Sequence, residues 1–207
     1  MKIKMALISF CILMVALDAA SNPRKPTEQD VRMIFNQGFG QSLLFFMPHK
    51  LPIEIERIHK SLEKKLDSWV ELGLLTKSNT RFLAEKMMYG EPREVSVGGY
   101  KYDLNHQSQW VSEKGIFYGR PEMDTLFEVS PPSHIGSHFV CEVYLSWYVE
   151  DLPEWLDKVD LTSRKLRQLR RAKESRKRPF EKRLYLIYQA NQWQLWKEKG
   201  EQSLFAR

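Results

Sequence analysis

Residues 139–149 read FVCEVYLSWYV, a run of aliphatic and aromatic side chains with recurring β-branched residues. Side chains of this kind favour an extended conformation, so the run predicts a β-strand with mixed alternation. Nearer the C-terminus, residues 183–188 and 192–196 predict two short strands. Ala190 and Asn191 stand between these strands as a turn, which predicts a final β-hairpin.

Two further strand pieces are predicted upstream of this run. Residues 116–118 and 125–129 are rich in aromatic and aliphatic side chains. Pro131 and Pro132 end the second piece, because proline cannot donate to a strand ladder. Residues 107–207 are therefore predicted to form a mostly antiparallel β region.

The N-terminal half is predicted to be helical. Across residues 51–75, apolar side chains recur at spacings of three and four, which is the pattern of an amphipathic helix. Gly73 is a typical helix end. A shorter helix is predicted from Thr27, a good N-cap residue, to Phe35. The apolar stripe of the longer helix consists of Ile55, Ile58, Leu62, Leu66, Trp69, Val70 and Leu72.

A hairpin is predicted after the helices. Residues 95–104 alternate around Gly98 and Gly99, which we expect at the hairpin tip. Residues 65–76, KLDSWVELGLLT, precede it. A leucine-rich helix that ends at Gly-Leu-Leu and is followed by a β-wing resembles winged-helix domains, and this resemblance spans residues 50–104. It implies that residues 22–106 form a helical, winged-helix-like region.

The predicted fold class is α+β, in which a helical, winged-helix-like N-terminal half packs on a mostly antiparallel β C-terminal half. The chain has 207 residues and a hydrophobic fraction of 43%, which suffices for one compact domain or two small ones. This composition excludes a chain that is disordered, collagen-like or coiled-coil throughout. Whether the two halves are one domain or two stays open.

The N-terminus is typical of a secretory signal. Two lysines precede an apolar run over residues 5–17, and small side chains follow at 19–21. The run is shorter than the roughly 20 apolar residues of a membrane-spanning helix. We expect cleavage within 19–21, which removes residues 1–21 and makes the protein periplasmic or secreted. Cys141 is then the remaining cysteine, and we expect it to be buried.

The strongest charge feature is the segment 164–183, here called the basic segment. It holds eleven basic and two acidic residues, a local charge of +9 in a chain of net charge +6. Such a segment favours an anionic membrane surface or an acidic partner, and a solvated loop is the alternative. The candidate binding residues are Arg167, Arg170, Arg171, Lys173, Arg176, Lys177 and Arg178.

Trp193 is a further candidate binding residue. The chain has 6 tryptophans and 8 tyrosines, which either fill the core or line a pocket for a small cyclic ligand. Trp193 and Trp196 have opposite parity on their predicted strand, so one of them faces outward.

Several kinds of chemistry are not indicated. No nucleic-acid partner is predicted, because acidic residues on the predicted helix 51–75 offset its basic ones. His134, His138 and Cys141 have zinc-ligand chemistry, but positions 138 and 141 face opposite sides of a strand. The sequence contains no Gly-x-Ser-x-Gly elbow and no phosphate-binding glycine loop. We therefore predict no catalytic residue, no metal site and no cofactor.

Three strings support a second resemblance. They are GIFYGRPEMD at residues 115–124, EVYLSWY at 142–148 and PEW at 153–155. Together they resemble a group of small exported proteins of Gram-negative bacteria, some of which are associated with carbapenem gene clusters. The resemblance implies an envelope location and a role in self-protection against an antibiotic, and it transfers no functional residues.

These observations lead to one functional expectation and two alternatives. We expect a non-catalytic binding or interaction protein of the periplasm or the extracellular space, whose partner is a protein or a small-molecule ligand. The first alternative is an enzyme with an unrecognised site in the β-rich half. The second is an envelope-surface binder that attaches to anionic lipid through the basic segment.

Overall fold

The computed structural model describes residues 23–196 and Leu204, so the predicted signal segment 1–21 lies outside the described residues. The fold is mostly β: of the residues described, 47% are in strands and 23% are helical. The helices are α1 (Glu28–Phe35), α2 (Lys60–Glu71) and α3 (Arg167–Glu174). The strands are β1 (Leu44–Phe46), β2 (Ile53–Glu56), β3 (Leu75–Met88), β4 (Glu91–Leu104), β5 (Val111–Ser112), β6 (Gly115–Val129), β7 (Ser133–Ile135), β8 (His138–Glu150), β9 (Phe180–Gln189) and β10 (Gln192–Leu195).

Strand β8 lies at the centre of the larger sheet. The strand order is β1-β6-β8-β9-β10, with β5 on β6 and β7 on β8, and every pairing is antiparallel. This confirms the strand predicted over residues 139–149. Alternate side chains of β8 are almost fully buried, as expected for a strand with one face on the core; they are Cys141, Val143, Leu145, Trp147 and Val149.

Strand β6 runs without interruption through the two pieces predicted at 116–118 and 125–129. Its pairing with β8 shifts register twice between Met123 and Glu128. At this irregularity the Thr125 amide donates to Ser146 Oγ over 3.2 Å, and Ser146 Oγ donates to Asp124 Oδ2 over 3.0 Å. The irregularity interrupts the side-chain alternation, so one strand looked like two in the sequence.

The final hairpin is confirmed. Strands β9 and β10 pair in register from Gln189 and Gln192 outward. Between them, Ala190 and Asn191 have φ values of 50° and 61°. Two consecutive positive φ values are the signature of a type I′ turn, whose twist matches that of the flanking strands.

The smaller sheet has the order β2-β4-β3 and projects a long hairpin made of β3 and β4. The hairpin turns at Tyr89 and Gly90, with φ values of 53° and 85°. The prediction that Gly98 and Gly99 form the tip is therefore wrong. These glycines lie inside β4, and the neighbouring strand β2 is so close that a side chain at Gly99 would collide with the Ile55 backbone.

The single helix predicted over residues 51–75 is also wrong. Its first part is strand β2, and only α2 is helical. The sequence Ile-Glu-Ile-Glu at 53–56 alternates with a period of two, and this alternation decides the local structure. The helix end predicted at Gly73 is confirmed. Gly73 has a φ of 72°, and the Leu74 amide donates back to the Trp69 carbonyl over 3.0 Å.

The helical N-terminal half is thus contradicted, and the winged-helix-like region with it. Of the described N-terminal residues, only α1, the π-helical turn Asn36–Gly40 and α2 are helical, and a three-stranded sheet replaces the expected helices. Trp69 of α2 packs on Phe46 and Trp155, each with ring centroids 5.8 Å apart. The small sheet and the large sheet therefore share one hydrophobic core. None of the described helices is long and apolar enough to cross a membrane.

Candidate functional site

A groove of about 400 Å³ lies between α1 and the β9–β10 hairpin, and we call it the α1 groove. Its lining combines two aromatic rings, four side-chain amides, one cation and one carboxylate with two apolar side chains. The lining residues are Arg24, Asp30, Met33, Ile34, Gln37, Tyr188, Asn191, Gln192, Trp193 and Gln194. Trp193 is the one candidate binding residue from the sequence that lies here.

Helix α1 forms one wall of the groove. Its N-terminus is capped and its apolar face is buried, so the position of the wall is fixed. Thr27 and Asp30 form a capping box, in which the Asp30 amide donates to Thr27 Oγ1 and Asp30 Oδ2 accepts from the Thr27 amide. Val31, Ile34 and Phe35 are buried against the sheet. This confirms the helix predicted from Thr27 to Phe35. The following π-helical turn, Asn36–Gly40, contains Gln37 of the groove lining.

Arg32 ties the outer side of α1 to the irregular part of β6. Its guanidinium donates to the Met123 carbonyl over 2.9 Å and to the Asp124 carbonyl over 3.3 Å. It also pairs with Glu28 of its own helix over 2.9 Å. These contacts hold α1, one wall of the groove, against the large sheet. The fold itself therefore sets the shape of the groove.

The opposite wall is an aromatic pair on the terminal hairpin. Tyr188 and Trp193 are directly opposed across β9 and β10, with ring centroids 5.3 Å apart in an edge-to-face arrangement. Trp193 Nε1 donates to the Arg24 carbonyl over 2.8 Å. The indole is therefore fixed by one ring contact and one hydrogen bond, which reduces the entropy lost when a ligand packs on it.

The groove holds charges of both signs. Arg24 and Asp30 approach to 3.6 Å, and 79% of the Arg24 side chain is exposed. The hydrogen bonds from Thr27, aided by the charge of Arg24, hold the pKa of Asp30 below its usual value despite some desolvation. Asp30 is thus an anion at neutral pH, and Arg24 presents its cation to solvent at the edge of the groove.

The basic segment does not line the groove and is ordered. It forms a 3-10 turn at Arg164–Leu166, then α3, and then the start of β9. Leu169 and Ala172 are buried in the core. Ser175 Oγ accepts from the Val149 amide over 2.9 Å and donates to the Ala172 carbonyl over 2.6 Å. The helix is therefore joined to the central strand β8.

Several candidate cations of the basic segment have partners within the molecule. Arg170 donates to the Leu161 carbonyl over 3.1 Å, and Lys173 pairs with Asp157 over 2.8 Å. Arg176 pairs with Glu150 and lies over the Tyr148 ring, while Arg171 lies over the Phe180 ring. These contacts pair much of the local charge within the molecule, although the Lys173 and Arg176 side chains stay 42% and 63% exposed. Arg167, Lys177 and Arg178 are the exposed candidates for which the described residues provide no ion pair.

A second polar cluster lies between α2 and the small sheet. Lys77 Nζ donates to Glu63 over 3.0 Å and to Asp67 over 2.9 Å, and the Tyr102 hydroxyl donates to Asp67 over 2.7 Å. Desolvation opposes the charge of Lys77, but its hydrogen bonds outweigh this and raise the Lys77 pKa. Burial and the Asp67 hydrogen bond raise the pKa of Tyr102 to about 12. Lys77 is therefore charged and Tyr102 neutral, and both make their hydrogen bonds within the molecule. We assign this cluster a structural role.

The residues with zinc-ligand chemistry do not converge. Cys141 is 1% exposed, and burial raises its pKa to about 12. His134 packs on Phe139, with ring centroids 3.9 Å apart, in the β7–β8 hairpin. Among residues 23–196 and Leu204, no group of three or more His, Cys, Asp or Glu side chains is placed to hold a metal ion.

The α1 groove is thus a candidate binding site of the described chain. Its described lining supplies hydrogen-bond donors, acceptors and aromatic surface, but no Ser, Cys, Lys or His nucleophile or base. Sequence reasoning missed the α1 wall, because no local pattern indicates that residues 24–37 meet 188–194. Compared with known proteins, the chain matches no family model, no curated protein and no solved structure.

Proposed function

We propose that this chain is a non-catalytic binding protein of the periplasm or the extracellular space, and that the α1 groove holds a small polar ligand. One observation carries the proposal. Amides, a cation and a fixed aromatic pair converge on one groove whose volume of about 400 Å³ suits a small molecule.

The lining favours a compact ring-containing molecule that bears a carboxylate. Trp193 and Tyr188 offer apolar ring surface, and Gln37 and Gln192 offer paired donors and acceptors. Gln194, whose Nε2 donates to Gln189 over 2.7 Å, offers its carbonyl oxygen. The exposed guanidinium of Arg24 suits a carboxylate in a charge-assisted hydrogen bond. A carbapenem has this chemistry, and the resemblance to exported proteins of carbapenem gene clusters supports the same class of ligand. The mechanism would be sequestration of the antibiotic without its chemical change.

The experiment is calorimetric titration of the mature protein with a carbapenem, followed by mass spectrometry of the recovered compound. We expect saturable binding and an unmodified compound. Trp193→Phe and Gln37→Ala should each weaken binding by about 3- to 10-fold, since each removes one or two neutral hydrogen bonds or ring contacts. Phe127→Ala is the matched control, because Phe127 is 50% exposed and lies outside the groove.

Two results would contradict the proposal. Recovery of a hydrolysed compound would indicate an enzyme. Affinity that is unchanged in Trp193→Phe and Gln37→Ala, or an absence of binding at millimolar carbapenem, would remove the α1 groove as the antibiotic site. Binding to vesicles of anionic lipid that is lost in Lys177→Gln/Arg178→Gln would instead support the envelope-surface alternative.

A further inference from the structure

Strand β3 forms a long outer edge of the small sheet. Within the described chain it pairs only with β4, through an unbroken register from Leu75 to Met88. It contains no proline, no glycine and no bulge. A long regular edge of this kind is a template for pairing with another strand unless it is covered. By contrast, the free outer edge of β4 contains Pro92 and Gly98, which weaken strand pairing.

The hairpin turn determines which backbone groups of β3 face this edge. A two-residue turn at Tyr89 and Gly90 makes Met88 and Glu91 a hydrogen-bonded pair. Hydrogen-bonded and non-hydrogen-bonded pairs then alternate along the ladder. The amides and carbonyls of Arg81, Leu83 and Glu85 therefore point away from β4, toward the open edge.

The side chains of these three residues share one face of the ribbon and are exposed. Leu83 is 64% exposed, with Arg81 two positions before it and Glu85 two positions after it. Glu85 is directly opposite Glu94 on β4, an unfavourable pairing of like charges. Arg81 is opposite Gly98, which has no side chain. Neither Arg81 nor Glu85 has an ion-pair partner among the residues that the structure describes.

We propose that β3 is the interface between two copies of this chain, which pair antiparallel about a two-fold axis at Leu83. This register places Leu83 against the partner's Leu83. It places Arg81 opposite the partner's Glu85, and symmetry repeats that ion pair on the other side of the axis. On the other face, Phe82 meets the partner's Ala84.

The sequence around Leu83 is self-complementary in this register. The order Arg-x-Leu-x-Glu, read in opposite directions on two strands, opposes each charge with its counter-charge. The partner's Arg81 also offsets the repulsion between Glu85 and Glu94. Two three-stranded sheets become one six-stranded sheet, and the edge amides and carbonyls of β3 become paired. This isologous arrangement closes on itself and does not propagate into a fibre.

Sedimentation velocity of the mature protein over a range of concentrations tests the interface. We expect a monomer–dimer equilibrium. Arg81→Glu or Glu85→Arg should each weaken dimerisation by about tenfold or more. In either variant, residues 81 and 85 of the two copies carry like charges and face each other on both sides of the axis. The double variant Arg81→Glu/Glu85→Arg should restore the dimer. Arg93→Glu is the control, because Arg93 lies on β4 of the same ribbon.

A wild-type chain that is still monomeric at about 100 μM would overturn the proposal, because a dimer with a Kd of about 100 μM or lower would be populated there. So would a dimer that both single variants leave intact, or a double variant that fails to recover. The double variant also separates loss of the interface from loss of the fold, since misfolding would not be repaired by exchanging the two charges.

Discussion

Gly99 of β4 lies against the backbone of Ile55 in β2, where a Cβ atom built on Gly99 would stand 2.1 Å from the Ile55 carbonyl oxygen. Phe82 occupies the same space, with a ring carbon 2.7 Å from that position. The close approach joins β2 to the hairpin, so the smaller sheet depends on a glycine at this position.

Gly99→Ala should therefore destabilise the protein. The methyl group must displace the backbone of β2, and overpacking of this kind costs about 1–3 kcal/mol of unfolding free energy. The neighbouring Gly98 provides the matched control, because a Cβ there has no neighbour within 4 Å. Urea unfolding of Gly98→Ala should show unchanged or slightly increased stability. Equal losses in both variants would mean that β2 does not lie this close to β4 at Gly99.

The two glycines also show where sequence reasoning reaches its limit. A glycine pair between alternating residues is equally compatible with a turn and with the close approach of a neighbouring strand. Only the tertiary position of β2 distinguishes the two. The real turn uses Tyr89, whose side chain is 94% exposed and which carries a positive φ unusual for its type. The local signal was Gly90 beside it, a typical turn residue that sequence reasoning missed.

The predictions that were correct depend on local physics. The N-cap at Thr27 and the Gly73 helix end involve residues a few positions apart, and both are present. The alternation at 139–149 reports burial of one strand face, which the central position of β8 confirms. The α1 groove joins residues about 160 positions apart, so Trp193 was identifiable only by its strand parity.

Acid should weaken the contact between α2 and the small sheet. Desolvation disfavours the Asp67 charge, but hydrogen bonds from Lys77 and Tyr102 outweigh it and lower the Asp67 pKa below the usual value. A carboxyl with a lowered folded-state pKa stabilises the fold above its unfolded pKa of about 3.9 and loses this contribution as pH falls further. Stability measured by urea unfolding should therefore fall between neutral pH and pH values below about 4.

Asp67→Asn is the variant that assigns this acid dependence. It keeps the shape of the side chain and removes its titration. Its unfolding free energy should be lower than that of the wild type at neutral pH, and the difference should shrink on acidification. A constant difference across the acid range would show that Asp67 does not titrate with a lowered pKa in the folded protein.

The Cys141 thiol should be inert in the folded protein. It is buried in the central strand, and its pKa of about 12 leaves almost no thiolate at neutral pH. In the mature chain, a coloured disulfide reagent should react with it only after urea is added. Reaction of the native protein at the rate of a free thiol would mean that β8 opens or that the strand faces solvent.

Alkaline pH should lower the stability of the fold through the same residue, Cys141. Because the folded-state pKa of Cys141 is raised, the unfolded state releases its proton first, and stability falls as pH rises above about 8.5. Cys141→Ala removes this titration while keeping a small buried side chain. The variant should show a flatter dependence of unfolding free energy between pH 8 and pH 10, on the order of these reference pKa values.

Ser175 should be one of the most sensitive positions of the basic segment, although it carries no charge. Its hydroxyl is fully buried and accepts from the Val149 amide of β8. Ser175→Ala leaves that amide without its partner, and an unsatisfied buried donor costs about 1–3 kcal/mol. Exposed Ser163, one residue before the segment, serves as the control for the same substitution. If Ser175→Ala unfolds at the wild-type urea concentration, α3 does not dock on β8, and the cations of the segment become available for an external partner.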